Sequence, residues 1–179
     1  HPQLDLAQIE AEYQADVSFV GGWRPEREAL LSQLGDLNLK IWGPDWGRRC
    51  QHNPSIMRAW QKRAVHGSGF SKVMAGSRIS LNIIDFSNYP SPNMRFFEIA
   101  AGGGLQVCSP CPEMEDEFQH GKHLFYFQNP AEVPDLLYSL LTDATLREAV
   151  AAAAHEKVLA EHTYLHRARQ ILEFLDLSG

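Results

Sequence analysis

Short apolar runs alternate with helix-like segments between residues 16 and 127, and this alternation constrains the fold more than any other feature. Apolar runs between glycine or proline stops are typical of buried strands, whereas apolar residues three and four apart indicate helices. The predicted strands are residues 16–20, 39–42, 64–66, 79–84, 105–108 and 123–127. The predicted helices between them are residues 24–34, 57–63, 71–76, 94–101 and 113–119. The pattern predicts an α/β domain, a Rossmann-like doubly wound parallel sheet of about six strands.

From residue 130 onward the sequence indicates only helices. Asn129 and Pro130 open one helix, Asp143 caps the next, and a last helix follows to about Leu175. A length of 179 residues fits one domain, and an apolar share of 44% is enough for its core. We therefore expect a single domain over residues 1–179, with an N-terminal extension at 1–15 and a helical tail at 130–179.

Charge and cysteine content exclude several classes of partner. The net charge is −6 and no basic tract is present, so duplex nucleic acid is not an expected partner. No apolar run approaches the ~18 residues of a membrane span, and the first residues lack the basic and apolar regions of a secretory signal. Three cysteines are too few for a disulfide scaffold, so the sequence favours the reducing cytoplasm.

Glycine-rich loops follow several predicted strands. In a parallel α/β sheet, ligands bind beyond the carboxyl ends of the strands, where the loops lead into helices. These loops are residues 21–22, 43–46, 66–69, 85–93 and 109–113. The candidate site is the edge of the sheet where they meet, and the turn at Gly21 and Gly22 is a candidate neighbour of a phosphate.

A polar segment, from Asn93 to Glu98, begins the helix at residues 94–101. Helix N-termini carry unpaired N–H groups and a partial positive charge, which favour phosphate. Arg95 would add a forked cation for a diphosphate, and Glu98, about one turn on, would accept hydrogen bonds from ribose hydroxyls. The segment predicts a sugar-nucleotide site. The simpler interpretation is that Arg95 and Glu98 only pair with each other on the helix surface.

Five segments in order resemble one known family, the glycosyltransferase-like proteins grouped with the spore-maturation protein CgeB. They are residues 16–21 (DVSFVG) with Arg27, residues 41–46 (IWGPDW), residues 77–82 (SRISLN), Asn93-x-Arg95-x-x-Glu98 with Gly103 and Glu113, and His162-Thr163-Tyr164 with Arg167. The resemblance covers nearly the whole chain from residue 16 to residue 175. Proteins of this group are similar to retaining glycosyltransferases of the GT-B fold.

The resemblance implies which part of an enzyme this chain forms. GT-B enzymes have two Rossmann-like domains, and the C-terminal one binds the nucleotide of the donor in the cleft between them. The chain resembles that C-terminal domain, so an N-terminal domain would be the missing partner. Glu98 matches the glutamate that holds the donor ribose. Arg27 and Lys72 fall near positions where basic groups face the diphosphate, and Asn93 and Arg95 match the family's own motif.

Transfer from a nucleotide sugar requires cations and N–H dipoles around the leaving diphosphate rather than a side-chain nucleophile. Trp46, or Trp23, is a candidate to stack on the base, although tryptophans in such positions more often pack in the core. Because no Asp-x-Asp pair is present, we expect no dedicated metal site. The expected ligand is a nucleotide-diphosphate sugar, with a UDP-sugar favoured, while the acceptor and the catalytic residues stay unknown.

Two alternatives compete with this interpretation. Many retaining GT-B members carry a first glutamate eight positions before the second, but the slot eight residues before Glu98 holds Pro90. This departure favours a non-catalytic module that binds a nucleotide or a phosphosugar. The second alternative is a redox or zinc module, because Cys108 and Cys111 with His120 and His123 are loosely spaced like metal ligands.

Overall fold

A computed structural model of the protein describes residues 10–175. These residues contain one sheet of five parallel strands in the order β2-β1-β3-β4-β5. The strands are Ala15–Val20 (β1), Leu39–Trp42 (β2), Ser77–Asn82 (β3), Gln106–Cys108 (β4) and Phe125–Tyr126 (β5). Most of the predicted N-terminal extension, residues 1–9, and the last tail residues, 176–179, lie outside the described part. The Rossmann-like α/β prediction is confirmed.

Helices cover both faces of the sheet. In chain order they are Pro25–Leu31 (α1), Trp46–Arg49 (α2), Pro54–Ala59 (α3), Ser68–Gly76 (α4), Met94–Ala101 (α5), Val133–Thr142 (α6), Ala144–Glu161 (α7) and Tyr164–Phe174 (α8). One face of the sheet packs against α1, α3 and α6, and the other packs against α4 and α5, while α7 packs against α5 and α6. This three-layer arrangement buries both faces, as parallel sheets require.

The predicted strand at residues 64–66 is wrong in position. Within the described part of the chain those residues form no strand, but Trp60 bridges Ile41 at the free edge of β2. Gln61 donates its N–H to the Ile41 carbonyl at 2.9 Å, and Gly43 donates to the Arg63 carbonyl at 3.0 Å. Lys62 takes a positive φ of 60°, which interrupts the extended backbone. The edge position of a sixth strand is therefore filled by one bridge and a turn.

The helical tail follows the prediction, since α6, α7 and α8 account for nearly all residues from 133 to 174. Asn129 forms a capping box with Glu132, and the Asp143 carboxylate accepts the N–H of Leu146 at the start of α7. α6 buries apolar residues against the sheet and α7 buries them against α5 and α6, whereas no residue of α8 is buried. The last helix is therefore the most weakly packed element of the described chain.

Candidate functional site

The carboxyl ends of β1 and β3 are adjacent, and the chain leaves them toward opposite faces. β1 leads to α1, which packs with the core cluster around Phe19 and Leu31, whereas β3 leads to α5, which packs in the clusters of the other face. Two neighbouring strands whose loops diverge in this way form a crevice, and such crevices are where doubly wound folds bind ligands. We call the crevice between these two strand ends the switch point.

The glycine turn after β1 lies at the switch point and has no room for side chains. A Cβ on Gly21 would lie 2.8 Å from the Phe19 ring, and a Cβ on Gly43 would lie 2.0 Å from the carbonyl oxygen of Gly21. Gly43 also takes a positive φ of 149°. The Gly21 N–H donates to the Trp42 carbonyl at 2.9 Å. The turns after β1 and β2 are thus packed backbone to backbone.

Arg27 reaches the switch point, but its guanidinium is bound to the protein itself. It donates to the Gly22 carbonyl at 2.9 Å and to the Ile83 carbonyl at 3.0 and 3.2 Å. Its side chain is only 11% exposed, and Asp85 lies 3.9 Å away. Burial lowers the pKa of Arg27, and Asp85 opposes that effect. Arg27 therefore braces the glycine turn against the end of β3, rather than standing free for a diphosphate.

Trp46 cannot stack on a base, which corrects the sequence-based prediction. Its side chain is fully buried, its ring meets Phe19 edge to face at 6.0 Å, and its indole N–H donates to the Gly21 carbonyl at 2.9 Å. Trp46 is the first residue of α2, and its ring belongs to the hydrophobic core cluster that also contains Phe19. Trp23, the other candidate, is half-buried and donates its indole N–H to Glu28 at 2.7 Å.

Asn93 fixes the start of α5 at the end of β3. Its side-chain oxygen accepts the N–H of Phe96 at 3.0 Å, which caps the helix. The Asn93 and Asn82 amides also donate to each other, at 2.9 and 3.1 Å. Both ends of the amide are therefore occupied, and Asn93 serves to position the helix. Its partner Asn82 was not among the predicted site residues, although a polar residue at the end of an apolar strand is a signal that could have found it.

Arg95 and Glu98 form an ion pair on α5, with side chains 28% and 35% exposed. The Arg95 guanidinium also lies 4.5 Å from the ring centroid of Phe70 in α4. A small cavity of about 10 Å³ opens here, and both Arg95 and Val20, the last residue of β1, line it. The pair thus lies next to the end of β1, across the sheet from Arg27. Both groups are accessible enough to exchange partners with a ligand.

Lys72 pairs with a different part of the chain. Its ammonium group lies 2.7 Å from a Glu10 carboxylate oxygen and 5.3 Å from the centroid of the Tyr13 ring. Both partners belong to the segment that precedes β1, not to the loops that follow the strands. The contacts therefore do not support the predicted diphosphate role of Lys72.

The loop between β3 and α5 is tied to the start of α1 by Asp85. Arg24 donates to the Asp85 carboxylate at 2.7 Å, and Ser87 donates both its N–H and its hydroxyl to it. The Ser87 hydrogen bonds and the Arg24 contact lower the pKa of Asp85 to about 2. The sequence alone does not indicate that Arg24 pairs with Asp85, because the two residues are 61 positions apart. This pair sets the position of the loop beside the switch point.

An apolar groove of about 400 Å³ lies beside this loop. Its lining residues come from α1 and from the loops after β3 and β4, and they are Glu26, Ile84, Phe86, Tyr89, Ser109 and Pro110. Two of the aromatic rings are open to solvent, with Phe86 88% and Tyr89 55% exposed. The groove provides space for a ligand next to the switch point.

The buried thiols do not support a redox or zinc module. Cys108 and Cys111 are fully buried and free, and burial raises the pKa of Cys108 well above its usual value and that of Cys111 to about 11. A reactive or metal-binding thiol needs the opposite shift. His120 and His123 each accept a backbone N–H through Nδ1 at 3.1 Å, so they support the local turn.

The glycosyl transferase-like family profile matches residues 24–173, so the chain belongs to this family of glycosyltransferase-like domains. Among solved structures, Anabaena Alr3699/HepE in complex with UDP-glucose superposes with a TM-score of 0.72 at 13% identity, over 91% of this chain and 49% of that one. Sucrose-phosphate synthase from Thermosynechococcus elongatus gives a TM-score of 0.69 at 11% identity, over 97% of this chain and 48% of that one.

This chain covers most of the C-terminal domain of the group 1 glycosyl transferase LpcC from Francisella tularensis. It gives a TM-score of 0.62 at 9% identity, over 83% of this chain and 86% of that domain. The chain therefore spans about half the length of the HepE and sucrose-phosphate synthase chains but the greater part of an isolated C-terminal domain. No curated protein sequence matches the chain. At these identities the likeness establishes the fold. No helix between residues 10 and 175 has the length and apolarity needed to cross a bilayer.

Proposed function

We propose that this chain is the donor-binding C-terminal half of a retaining glycosyltransferase of the GT-B fold, related to the CgeB group, and that it binds a nucleotide-diphosphate sugar. The observation that carries this proposal is the switch point, where the Gly21-Gly22 turn and the Asn93-capped start of α5 meet in a member of a glycosyltransferase-like family. HepE, whose solved complex contains UDP-glucose, shares the fold, which favours a UDP-sugar as the donor.

The contacts suggest how the site changes when a donor arrives. In the free protein Arg95 neutralises Glu98. A pair three residues apart on a helix surface is worth only about 0.3 kcal/mol, so little is lost when these two half-buried side chains separate. Glu98 then accepts the ribose hydroxyls, and Arg95 turns to the diphosphate together with the N–H groups at the start of α5. The helix start and one forked cation stabilise the charge that the leaving diphosphate gains.

Arg27 has a supporting part in this account. Its three hydrogen bonds hold Gly22 and Ile83, so the shape of the glycine turn depends on it. Its positive charge acts on a bound diphosphate through space, without a direct contact. We assign no residue to the cleavage of the sugar–oxygen bond, and the apolar groove beside the switch point is where we expect the transferred sugar to lie.

An N-terminal domain would complete the cleft. The chain spans 49% of the HepE chain, and α8 carries exposed apolar side chains that favour a covering partner. Among these, Tyr164 is 81% exposed and Phe174 is 88% exposed. The isolated chain is therefore expected to bind donor and to transfer little sugar. The reduced, buried thiols agree with the cytoplasm as the compartment.

A non-catalytic nucleotide-binding module is the second candidate. The observation that favours it is Pro90, which occupies the slot eight residues before Glu98, in the exposed loop after β3. Hydrolysis of a nucleotide sugar by the full-length protein separates the two candidates. Measurable hydrolysis supports the transferase, whereas donor binding without any hydrolysis or transfer supports the module.

A thermal-shift screen across UDP, GDP, ADP, dTDP and uridine tests the binding proposal. A ligand present at 100 times its Kd stabilises the folded state by about 2.7 kcal/mol, which is about 5–10 °C in a domain of this size. We expect the largest shift with UDP, and a smaller one with uridine, which lacks the diphosphate. If no nucleotide shifts the Tm at millimolar concentration, the proposal is wrong.

A further inference from the structure

The His162-Thr163-Tyr164 segment with Arg167 is a sequence motif that nucleotide binding does not explain. In the structure it is the joint between α7 and α8. His162 is the C-cap of α7, its N–H donates to the Val158 carbonyl at 2.9 Å, and Thr163 is the N-cap of α8. Arg167 lies on the first turns of α8. The motif therefore connects a packed helix to the most weakly packed one.

The His162 imidazole is held in an aromatic slot. Its side chain is only 4% exposed, and its ring stacks on Phe97 of α5 with centroids 5.5 Å apart and planes 25° apart. Phe118, from the segment between β4 and β5, lies 5.1 Å away on another side. The guanidinium of Arg167 also lies over the Phe97 ring, at 5.9 Å. A ring buried between two phenylalanines has little access to water.

The two ring nitrogens face groups of opposite charge. Arg167 Nη2 lies 2.6 Å from Nδ1, and Glu117 Oε2 lies 3.0 Å from Nε2. A guanidinium has only donors, so Nδ1 must accept and must carry no proton. The single proton of the neutral ring therefore sits on Nε2, where the nearby Glu117 oxygen does not complete a hydrogen bond. Although Glu117 and Glu161 lie near Nε2, this protonation leaves no lone pair there for a metal ion.

The same joint holds the best-buried residues of α8. In α8 only His166 and Arg167 are half-buried, and every other residue of the helix is exposed. The position of α8 therefore depends on its first turns, where Arg167 binds Nδ1 of His162.

We propose that His162 and Arg167 form a pH-sensitive clasp, which holds α8 against α5 while the imidazole is neutral and opens when the ring takes up a second proton. That proton binds at Nδ1, where the new N–H points at the Arg167 guanidinium. Two donors, both positively charged, then face each other at hydrogen-bond distance, and the contact that holds α8 becomes repulsive. This clasp is independent of the proposed donor binding.

The charges around the ring decide the direction of the response. Burial lowers the pKa of His162, Arg167 and Lys157 lower it further, and Glu117 and Glu161 oppose them. α5 contributes the uncharged Phe97, and His123 also contacts the Phe118 ring. Because the pKa of His162 is lowered in the closed clasp, the imidazole binds its second proton more tightly when the clasp is open. The clasp is therefore closed above the ordinary histidine pKa of about 6.5 and opens as the pH falls below it.

Hydrogen exchange of α8 followed by mass spectrometry tests the clasp in the intact chain. We expect the protection of α8, corrected for the intrinsic exchange rate at each pH, to fall at least about tenfold between about pH 8 and about pH 5. The protection of α5 and β1 should change little. Equal protection of α8 at both pH values would overturn the proposal, and this comparison needs no substitution.

Two variants separate His162 from other titrating groups. In His162→Gln the response of α8 to pH should disappear, because glutamine does not titrate in this range. His123→Gln is the matched control, since His123 is another buried histidine whose pKa burial lowers, and it should keep the response. An acid response that persists in His162→Gln, or that is lost in His123→Gln alone, would contradict the clasp.

Discussion

Replacement of Arg27 by methionine tests whether this residue braces the glycine turn. Arg27→Met keeps an unbranched apolar stem but removes the guanidinium that lies over the Phe19 ring, together with its three hydrogen bonds to the carbonyl oxygens of Gly22 and Ile83. Each buried carbonyl left without a partner costs about 1–3 kcal/mol. Part of this loss is regained, because the buried cation no longer has to be desolvated. We expect a net loss of about 3 kcal/mol in the free energy of unfolding, or about 6–12 °C in Tm.

The control is Arg24→Met, three residues earlier in the chain. The Arg24 side chain is 53% exposed, and its ion pair with Asp85 lies near the surface. Exposed pairs are worth about 0–1 kcal/mol, so this variant should lose at most that much. Both variants are unfolded in urea at pH 7 and compared through their midpoints and slopes. Equal losses in the two variants, or a loss under about 1 kcal/mol for Arg27→Met, would refute the bracing role.

Two further predictions concern the loop after β3 and the buried thiol. The Ser87 hydrogen bonds, and then Arg24, lower the pKa of Asp85 to about 2, so the carboxylate stabilises the fold above about pH 4 and loses that effect as the pH falls toward 2. Asp85→Asn should therefore lower the free energy of unfolding by about 1 kcal/mol at neutral pH, after allowance for solvent screening, and its stability should equal that of the wild type in acid. A difference between the two proteins that is the same at every pH would contradict this. Cys108→Ser should lower the free energy of unfolding by about 1–2 kcal/mol but leave nucleotide affinity within about twofold. A loss of nucleotide binding in this variant would instead support the redox or zinc hypothesis.

The regular core of the fold could be predicted from the sequence. Residues 39–42 form β2 and residues 94–101 form α5 as predicted, because glycine, proline and asparagine mark their ends and the apolar pattern fills them. The helix predicted at residues 57–63 instead spans Pro54–Ala59. The Asn53 cap and Pro54 at the first helical position were the missed start signals.

The contacts within the site were harder to predict, because they join segments far apart in the chain. Arg27 binds the carbonyl of Ile83, 56 residues away, and no local pattern indicates that pairing. Trp46 was placed in a loop and assigned to a base, but it begins α2 and fills the core beneath Gly21. Sequence reasoning thus indicated one edge of the sheet as the candidate site but could not divide its residues between those that support the site and those left free for a ligand.

A calorimetric titration of UDP tests the central claim most directly, with the wild-type chain compared with Glu98→Gln and with Glu148→Gln, an exposed control on α7. We expect the wild-type chain and the control to bind alike. Glu98→Gln should bind UDP at least about tenfold more weakly, which is about 1.4 kcal/mol, with a Tm within about 2 °C of the wild type because its pair with Arg95 adds little to stability. An affinity unchanged in Glu98→Gln, or a wild-type chain that does not bind UDP at all, would contradict a nucleotide-sugar site at the switch point.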